Sequence, residues 1–220
     1  MSVPKAPTLS RQQKKDLKLL LVHLLLIAGA LVMLFPFAWL VSSTLKPMNE
    51  IFAVPIRWIP TTITLENYIS GWNGLPGYTF STFFLNSLMV TGIVVVGTAF
   101  SSSFVAYGFS RIDFKFRNFL FLLLLSTMMI PGQVTMIPLY ILFAKWNLVD
   151  TYVPLTVGAF FGGGAFFIFM LRQFYDSIPK DLDDSARIDG CGHFRIYWQI
   201  ILPLSKPALF SASVFAFIWT

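Results

Sequence analysis

Asp, Glu, Lys and Arg are absent from five long stretches of the sequence: 19 to 45, 67 to 110, 118 to 144, 151 to 171 and 207 to 220. The first four hold apolar runs near the ~20 residues that carry a helix across the hydrocarbon core of a bilayer. The fifth is apolar as far as Thr220. Hydrophobic residues make up 56% of the chain and charged ones 12%, against roughly a quarter charged in soluble domains. The pattern predicts an all-α fold, a polytopic helical membrane protein, with the lipid bilayer as its first partner.

Spans are expected at about 18 to 41, 82 to 107, 118 to 141 and 152 to 171, with a fifth beginning near Pro207. Charge sets their direction. The arm over 1 to 17, with Lys18, holds Lys5, Arg11, Lys14 and Lys15 against Asp16, and the short loop after the second span holds Arg111, Lys115 and Arg117 against Asp113. Both are expected in the cytoplasm. The segment 42 to 81 balances Lys46 and Arg57 with Glu50 and Glu66, and the loop 142 to 151 has Lys145 and Asp150, so both belong outside. The segment 172 to 206 then falls inside, with five basic and five acidic residues. Every loop agrees with one alternating topology. A secretory signal is the competing reading of the first run, but that run exceeds a usual signal core and lacks a clear small-residue cleavage site.

The formal charge of +6 serves orientation, because the cations flank apolar runs and form no basic stripe interleaved with exposed aromatics; nucleic acid is not expected. A single cysteine, Cys191, excludes an internal disulfide framework, and His23 and His193 lie far apart in sequence, so no metal site is assigned.

Several polar or broken positions fall inside the spans. Asn86, Ser87, Thr91 and Ser101 to Ser103, with Gly92 and Gly97, suit close helix contacts. Pro131, Gly132 and Pro138 interrupt the third span, and backbone freed at that depth needs protein, hydroxyls or a watery cavity beside it. Gln133, Thr135 and Asn86 are candidates for a translocation path, with simple helix packing as the alternative. Gly162 to Gly164 offers a choice between close helix crossing and local unwinding, and is no phosphate loop, since no Gly-Lys-Ser/Thr follows. His23 reads as an interfacial histidine, with a proton relay as the alternative. Outside, the prolines between 47 and 76 rule out one long helix, while Trp58, Trp72, Tyr68 and Tyr78 suit an interfacial belt or a docking surface.

The stretch from Ser177 to Pro207 reads as two short helices about a hinge. Ser177 is expected to cap the first, with Pro179 in its opening turn and Asp181, Asp183 and Asp184 at its anion-favouring end. Asp183 and Arg187 have pairing spacing, and Gly190 or Gly192 can end the helix in a left-handed conformation. In the second helix Phe194, Tyr197, Trp198 and Ile201 share one face, which should pack on the bundle, and Pro203 marks its end. An ordinary interfacial loop is the plain alternative.

Asp184-Ser185-Ala186, then Asp189-Gly190, Phe194, Ile200, Leu202-Pro203 and Pro207 closely resemble the EAA loop of binding-protein-dependent ABC importer permeases. Ser43 to Pro47, Trp58 to Pro60, Glu66 to Tyr68, Asn86-Ser87, Ala106 to Arg111, Ile137 to Tyr140 and Leu171 to Phe174 are similar to the carbohydrate-uptake branch, in particular its maltose/glycerol-phosphate-type second permease. Asp184 and Ser185 stand where that family usually has Glu and Ala, and Cys191 where Ala is common; charge sign and small size are kept.

The resemblance implies a transmembrane domain over 18 to 220 in a bacterial or archaeal cytoplasmic membrane, with 177 to 207 as the cytoplasmic coupling loop. It implies a homologous second permease, two ATPase subunits and an extracytoplasmic solute-binding protein as partners. Asp184, Ser185, Ala186, Asp189 and Gly190 would dock on the ATPase, the transported solute would be a sugar or sugar-like molecule, and this chain would bind no cofactor because ATP stays on the partner subunits. The family has six spans, so about four and a half are expected here and the chain is expected to be a fragment or truncated product. The alternative functions are a secondary, ion-coupled carrier and a membrane-embedded enzyme. No intramembrane Asp, Glu, Lys or Arg is available for ion coupling, and no cluster of Asp, His or Ser at matching depth suits catalysis.

Overall fold

The computed structural model describes residues 11 to 74 and 76 to 220, and its regular elements are helices. Two compact units divide the chain, the first ending at Thr82 and the second beginning at Phe83.

In the first unit α1 runs from Arg11 to Thr44 with Pro36 inside it, so it begins within the basic arm rather than at residue 18. His23 sits on its exposed surface with Nδ1 2.7 Å from the Leu19 carbonyl oxygen. After α1 the prolines limit helix to α2 (Met48–Ile51) and α3 (Glu66–Trp72), as expected. Trp58 stacks edge-on against Phe35 and Trp39 of α1, which makes it a packing residue here. Lys46 is fully buried; its ammonium donates to the Arg57 carbonyl and lies 4.6 Å from the Trp39 ring centre. Asn67 closes the unit by donating to the carbonyls of Thr44 and Lys46 at 3.1 and 2.7 Å.

The second unit is organised by α4 (Phe80–Arg111), whose carboxyl half buries small and polar residues: Gly97, Thr98, Ser102, Ser103, Ala106, Tyr107, Ser110 and Arg111. Small side chains let neighbouring backbones approach, the usual currency of helix packing in lipid. Then come α5 (Arg117–Ser126), continued by a 3-10 turn to Met129, and α6 (Gly132–Lys145). They meet at 96°, the break falling at Ile130-Pro131 as the proline predicts.

Next is α7 (Val153–Thr156) with a 3-10 turn over Val157–Phe160, then the three glycines, then α8 (Ala165–Ser177). Gly162, Gly163 and Gly164 all have positive φ, at 93°, 61° and 113°, so the backbone unwinds here. It also crosses α4 closely: a Cβ on Gly163 would lie 2.4 Å from Thr98 Cγ2. Both options open to the glycine run are thus realised at once.

The chain ends in α9 (Asp181–Ile188), α10 (His193–Ile196), a π segment Tyr197–Ile201, α11 (Leu202–Leu204) and α12 (Lys206–Trp219). A 77° bend separates α11 from α12. Among the described residues three helical stretches are long and apolar enough to cross a membrane, or up to five if each bent pair is one span; the second bent pair begins at His193, ahead of the apolar run expected near Pro207. The core joins Ala106 and Tyr107 of α4, Phe167, Ile168, Leu171 and Tyr175 of α8, Ile196, Tyr197 and Ile201, and Ala212 and Ala216 of α12.

Candidate functional site

The loop between α8 and α12 holds the residues singled out by sequence, and its local chemistry explains its shape. Lys180 sits at the N-cap of α9, with Asp181, Asp183 and Asp184 in the first turn and Arg187 in the last, the charge order that a helix dipole favours. Ser177 does not cap it. Its hydroxyl donates to the Phe174 carbonyl at 2.6 Å within α8, and Pro179 lies before the N-cap because Ile178 is extended, with ψ 130°.

The carboxyl end of α9 closes as a Schellman motif: Cys191 N–H donates to the Ala186 carbonyl at 2.9 Å and Gly190 N–H to that of Arg187 at 3.0 Å. Gly190 carries φ 80°, the left-handed geometry that only glycine takes at little cost. Gly192 is extended, with φ −77°, so Gly190 is the helix-ending residue of the two.

Two residues of α9 face inward, and one of them, Ala186, is among the five expected to dock on the ATPase; it packs in the core instead. Ala186 is 7% exposed and Asp183 3%, whereas Asp184, Ser185, Asp189 and Gly190 are exposed. The expected Asp183 to Arg187 pair does not form. Arg187 pairs instead with Asp184 at 3.5 Å, and Asp183 meets Arg111 of α4, Nη1 to Oδ2 at 3.4 Å, with the two side chains 1% and 5% exposed. The Nη2 of the same guanidinium donates to the carbonyls of Tyr175 and Ile178, both at 2.6 Å. It thereby satisfies acceptors at the end of α8, where a cation is favoured. The sequence places Arg111 among the loop charges and in the Ala106 to Arg111 resemblance, and neither use points to this pairing.

The same end of α4 reaches two further segments. Ser110 Oγ donates to Asp176 Oδ1 at 2.6 Å, and Tyr107 OH donates to the His193 carbonyl at 2.9 Å. Tyr107, Ser110 and Arg111 lie at i, i+3 and i+4, one face of one helical turn. One turn above, the buried Ser103 hydroxyl sits 2.6 Å from the Tyr175 and 2.8 Å from the Tyr197 hydroxyl. A polar cavity of about 290 Å³ opens beside the anchor, lined by Arg111, Arg117, Lys180, Asp183, Arg187 and His193 among others.

The second helix differs from expectation in its face. Tyr197 and Ile201 are buried, but Phe194 and Trp198 are 68% and 50% exposed. The π segment adds a residue to the turn and shifts the inward register to Ile196, Tyr197 and Ile201. Pro203 cannot donate to the carbonyl four residues back, which accounts for a change of ladder just ahead of it.

The candidate path residues are not brought together. Asn86 lies on an exposed part of α4, and Gln133 and Thr135 are exposed on α6. The Thr135 hydroxyl donates to the Gly132 carbonyl of its own helix at 2.9 Å.

Apolar helical stretches, two of them bent, a buried cluster of hydroxyls and an anchored acidic helix in the loop before the last of them define a polytopic helical membrane protein. A solved structure described as that of a bacterial ABC transporter involved in the import of the acidic polysaccharide alginate shares this fold, with a TM-score of 0.79 and 24% identity over 97% of this chain and 73% of that one. The family model for the inner membrane component of binding-protein-dependent transport systems matches residues 99–220, and the chain belongs to that family.

Its relatives include the arabinooligosaccharides transport system permease protein AraQ of Halalkalibacterium halodurans, 37% identical over 84% of this chain and 66% of AraQ. Another is the sn-glycerol-3-phosphate transport system permease protein UgpE of Yersinia pestis, 34% identical over 90% of this chain and 70% of UgpE. The chain spans between 58% and 67% of the length of four curated relatives that it matches.

Proposed function

We propose that this chain is the permease subunit of an ABC importer that moves a sugar or sugar-like solute inward across the cytoplasmic membrane. Energy reaches it through the loop 177 to 207 from ATPase subunits that bind the nucleotide themselves, so this chain needs no cofactor of its own. A homologous second permease completes the path and an extracytoplasmic binding protein delivers the solute. The basic arm over 1 to 17 lies in the cytoplasm, and the transmembrane domain occupies 18 to 220.

The observation that carries the reading is the division of labour on α9. Asp183 and Ala186 hold the helix to the bundle, while Asp184, Ser185, Asp189 and Gly190 stay exposed at its far side. A short acidic helix held this way has the form of a tooth seated in a partner's groove, and work done on it is delivered to the spans. Sugar as the solute class is supported by the names of AraQ, an arabinooligosaccharide permease, and UgpE, an sn-glycerol-3-phosphate permease. Asn86 and Gln133, on exposed faces, remain available to line a path shared with the second permease.

The test replaces Gly190 by Leu in the assembled transporter. The expected outcome is a variant that inserts and assembles normally yet hydrolyses ATP without uptake. Normal uptake by that variant overturns the docking assignment. A purified homo-oligomer that transports with no Walker-motif subunit present favours a secondary carrier and overturns the whole reading.

A further inference from the structure

The segment from Pro179 to Gly192 leaves the bundle at Ile178 and returns at His193, and α4 grips it at both points. Arg111 binds the Ile178 carbonyl at the exit, Tyr107 binds the His193 carbonyl at the return, and Arg111 pairs with Asp183 in between. All three contacts come from one turn of one helix. An α9 tethered only through Pro179 and Gly192 would swing on its two ends, and a displacement applied to its exposed face would be absorbed there. The bracket removes that freedom.

The pair at the centre is buried but not closed. Arg111 Nε and Nη1 and Asp183 Oδ1 make no hydrogen bond, and the 3.4 Å separation exceeds the ~2.7–2.9 Å of a charge-assisted hydrogen bond. The adjoining cavity leaves room for the two groups to move against each other. A buried ion pair contributes little net stability compared with apolar packing; its better-attested use is to fix register between elements. Here it links α4 to a helix 72 residues away in sequence.

We propose that Arg111 and Asp183 are positioning residues that convey movement of α9 to α4, so that the carboxyl turn of α4 is the receiver of the ATPase stroke. This rests on the reading of α9 as the ATPase contact. It adds which span is driven, and through which side chains.

The experiment uses the assembled transporter in proteoliposomes with Cys191 replaced by Ser. One spin label is placed at Leu182→Cys on α9, and in a second preparation at Phe100→Cys on α4. Spectra are compared before and after trapping with ATP and vanadate. With Arg111 and Asp183 intact, both labels respond. In Asp183→Asn the α9 label still responds, while the α4 response falls about tenfold, within the usual span of coupling between sites. Arg111→Lys, which keeps the charge, restores part of the α4 response that Arg111→Gln loses. Equal α4 responses in Asp183→Asn and the parent overturn the inference. Silence of the α9 label in the parent overturns the ATPase reading beneath it, so the two failures are distinct. If Asp183→Asn does not assemble, Arg111→Lys decides in its place: an α4 response below the parent's with the α9 response intact supports the joint, and an α4 response equal to the parent's refutes it.

Discussion

Replacement of Gly163 by Ala is expected to destabilise the second unit through two separable effects. The residue has φ 61°, and an L side chain in the left-handed region costs roughly 1–2 kcal/mol. The new methyl would also stand 2.4 Å from Thr98 Cγ2 and 2.9 Å from Thr98 Cα and Cβ. Two of those atoms cannot rotate away, because Cα and Cβ move only with α4 itself, so an overpacking cost of about 1–3 kcal/mol is added.

The sum is about 2–5 kcal/mol, which for a chain of this size lowers the melting temperature by roughly 5–15 °C. Tryptophan fluorescence during thermal unfolding of the detergent-solubilised protein measures it. Gly158→Ala is the internal control, since a Cβ there meets nothing within 4 Å and φ is ordinary; it should melt with the parent. In a Thr98→Ala background the nearest atom is gone while the backbone contact and the φ penalty remain, so Gly163→Ala should cost less there but still cost something. A Gly163→Ala protein that melts with the parent, or a Gly158→Ala protein equally damaged, refutes the assignment of a close crossing at that glycine.

Breaking the anchor is the second prediction: Arg111→Ala leaves Asp183 buried without a counter-charge and should cost about 3–5 kcal/mol in the same melt. Asp113→Ala removes the 95% exposed partner of Arg117 and should leave the melt unchanged, as exposed pairs contribute little. Ser103→Ala strips the hydroxyl shared by Tyr175 and Tyr197 and should destabilise by about 1–3 kcal/mol, with Tyr197→Phe smaller because Tyr175 keeps its partner; equal losses would count against a three-membered cluster. Gly190→Ala should uncouple less than Gly190→Leu. Since a Cβ there has nothing within 4 Å, strain at φ 80° is all that Ala adds, and the ratio of ATP hydrolysed to solute taken up by the assembled transporter should separate the two.

The spans were legible because hydropathy is additive: every residue of a charge-free run testifies to the same thing. Breaks are legible at Pro131 and at Gly162 to Gly164, but Pro138, expected to interrupt the same span, lies inside a continuous α6. The 96° between α5 and α6 was not legible, since a proline announces a break without its angle. The loop's carboxyl cap at Gly190 and its dipole charges are readable, being local chemistry; its N-cap is not, because Ser177 stays within α8 and Lys180 takes that place. What stayed hidden were long-range pairings. Asp183 has a plausible partner four residues on and a real one on another helix, and only the burial of Arg111 chooses between them. Phe194 and Trp198 were misplaced for a related reason: 3.6-residue spacing holds only while the helix stays α, and the π segment has no strong signature apart from Pro203.

That π segment also bears on chain length. A regular helix turns by about 100° per residue and a π turn takes in one residue more, so deleting one residue within Tyr197–Ile201 trades the π turn for an α turn and leaves the helix beyond it near its present phase. A deletion in α12 ahead of Ala212 has no such slack: it turns Ala212 and Ala216, buried at 0% and 3%, out of their places and brings Ser213 and Phe217 into their register. The π segment is thus a place where the chain can lose a residue without a phase error, and the helix that follows it is not.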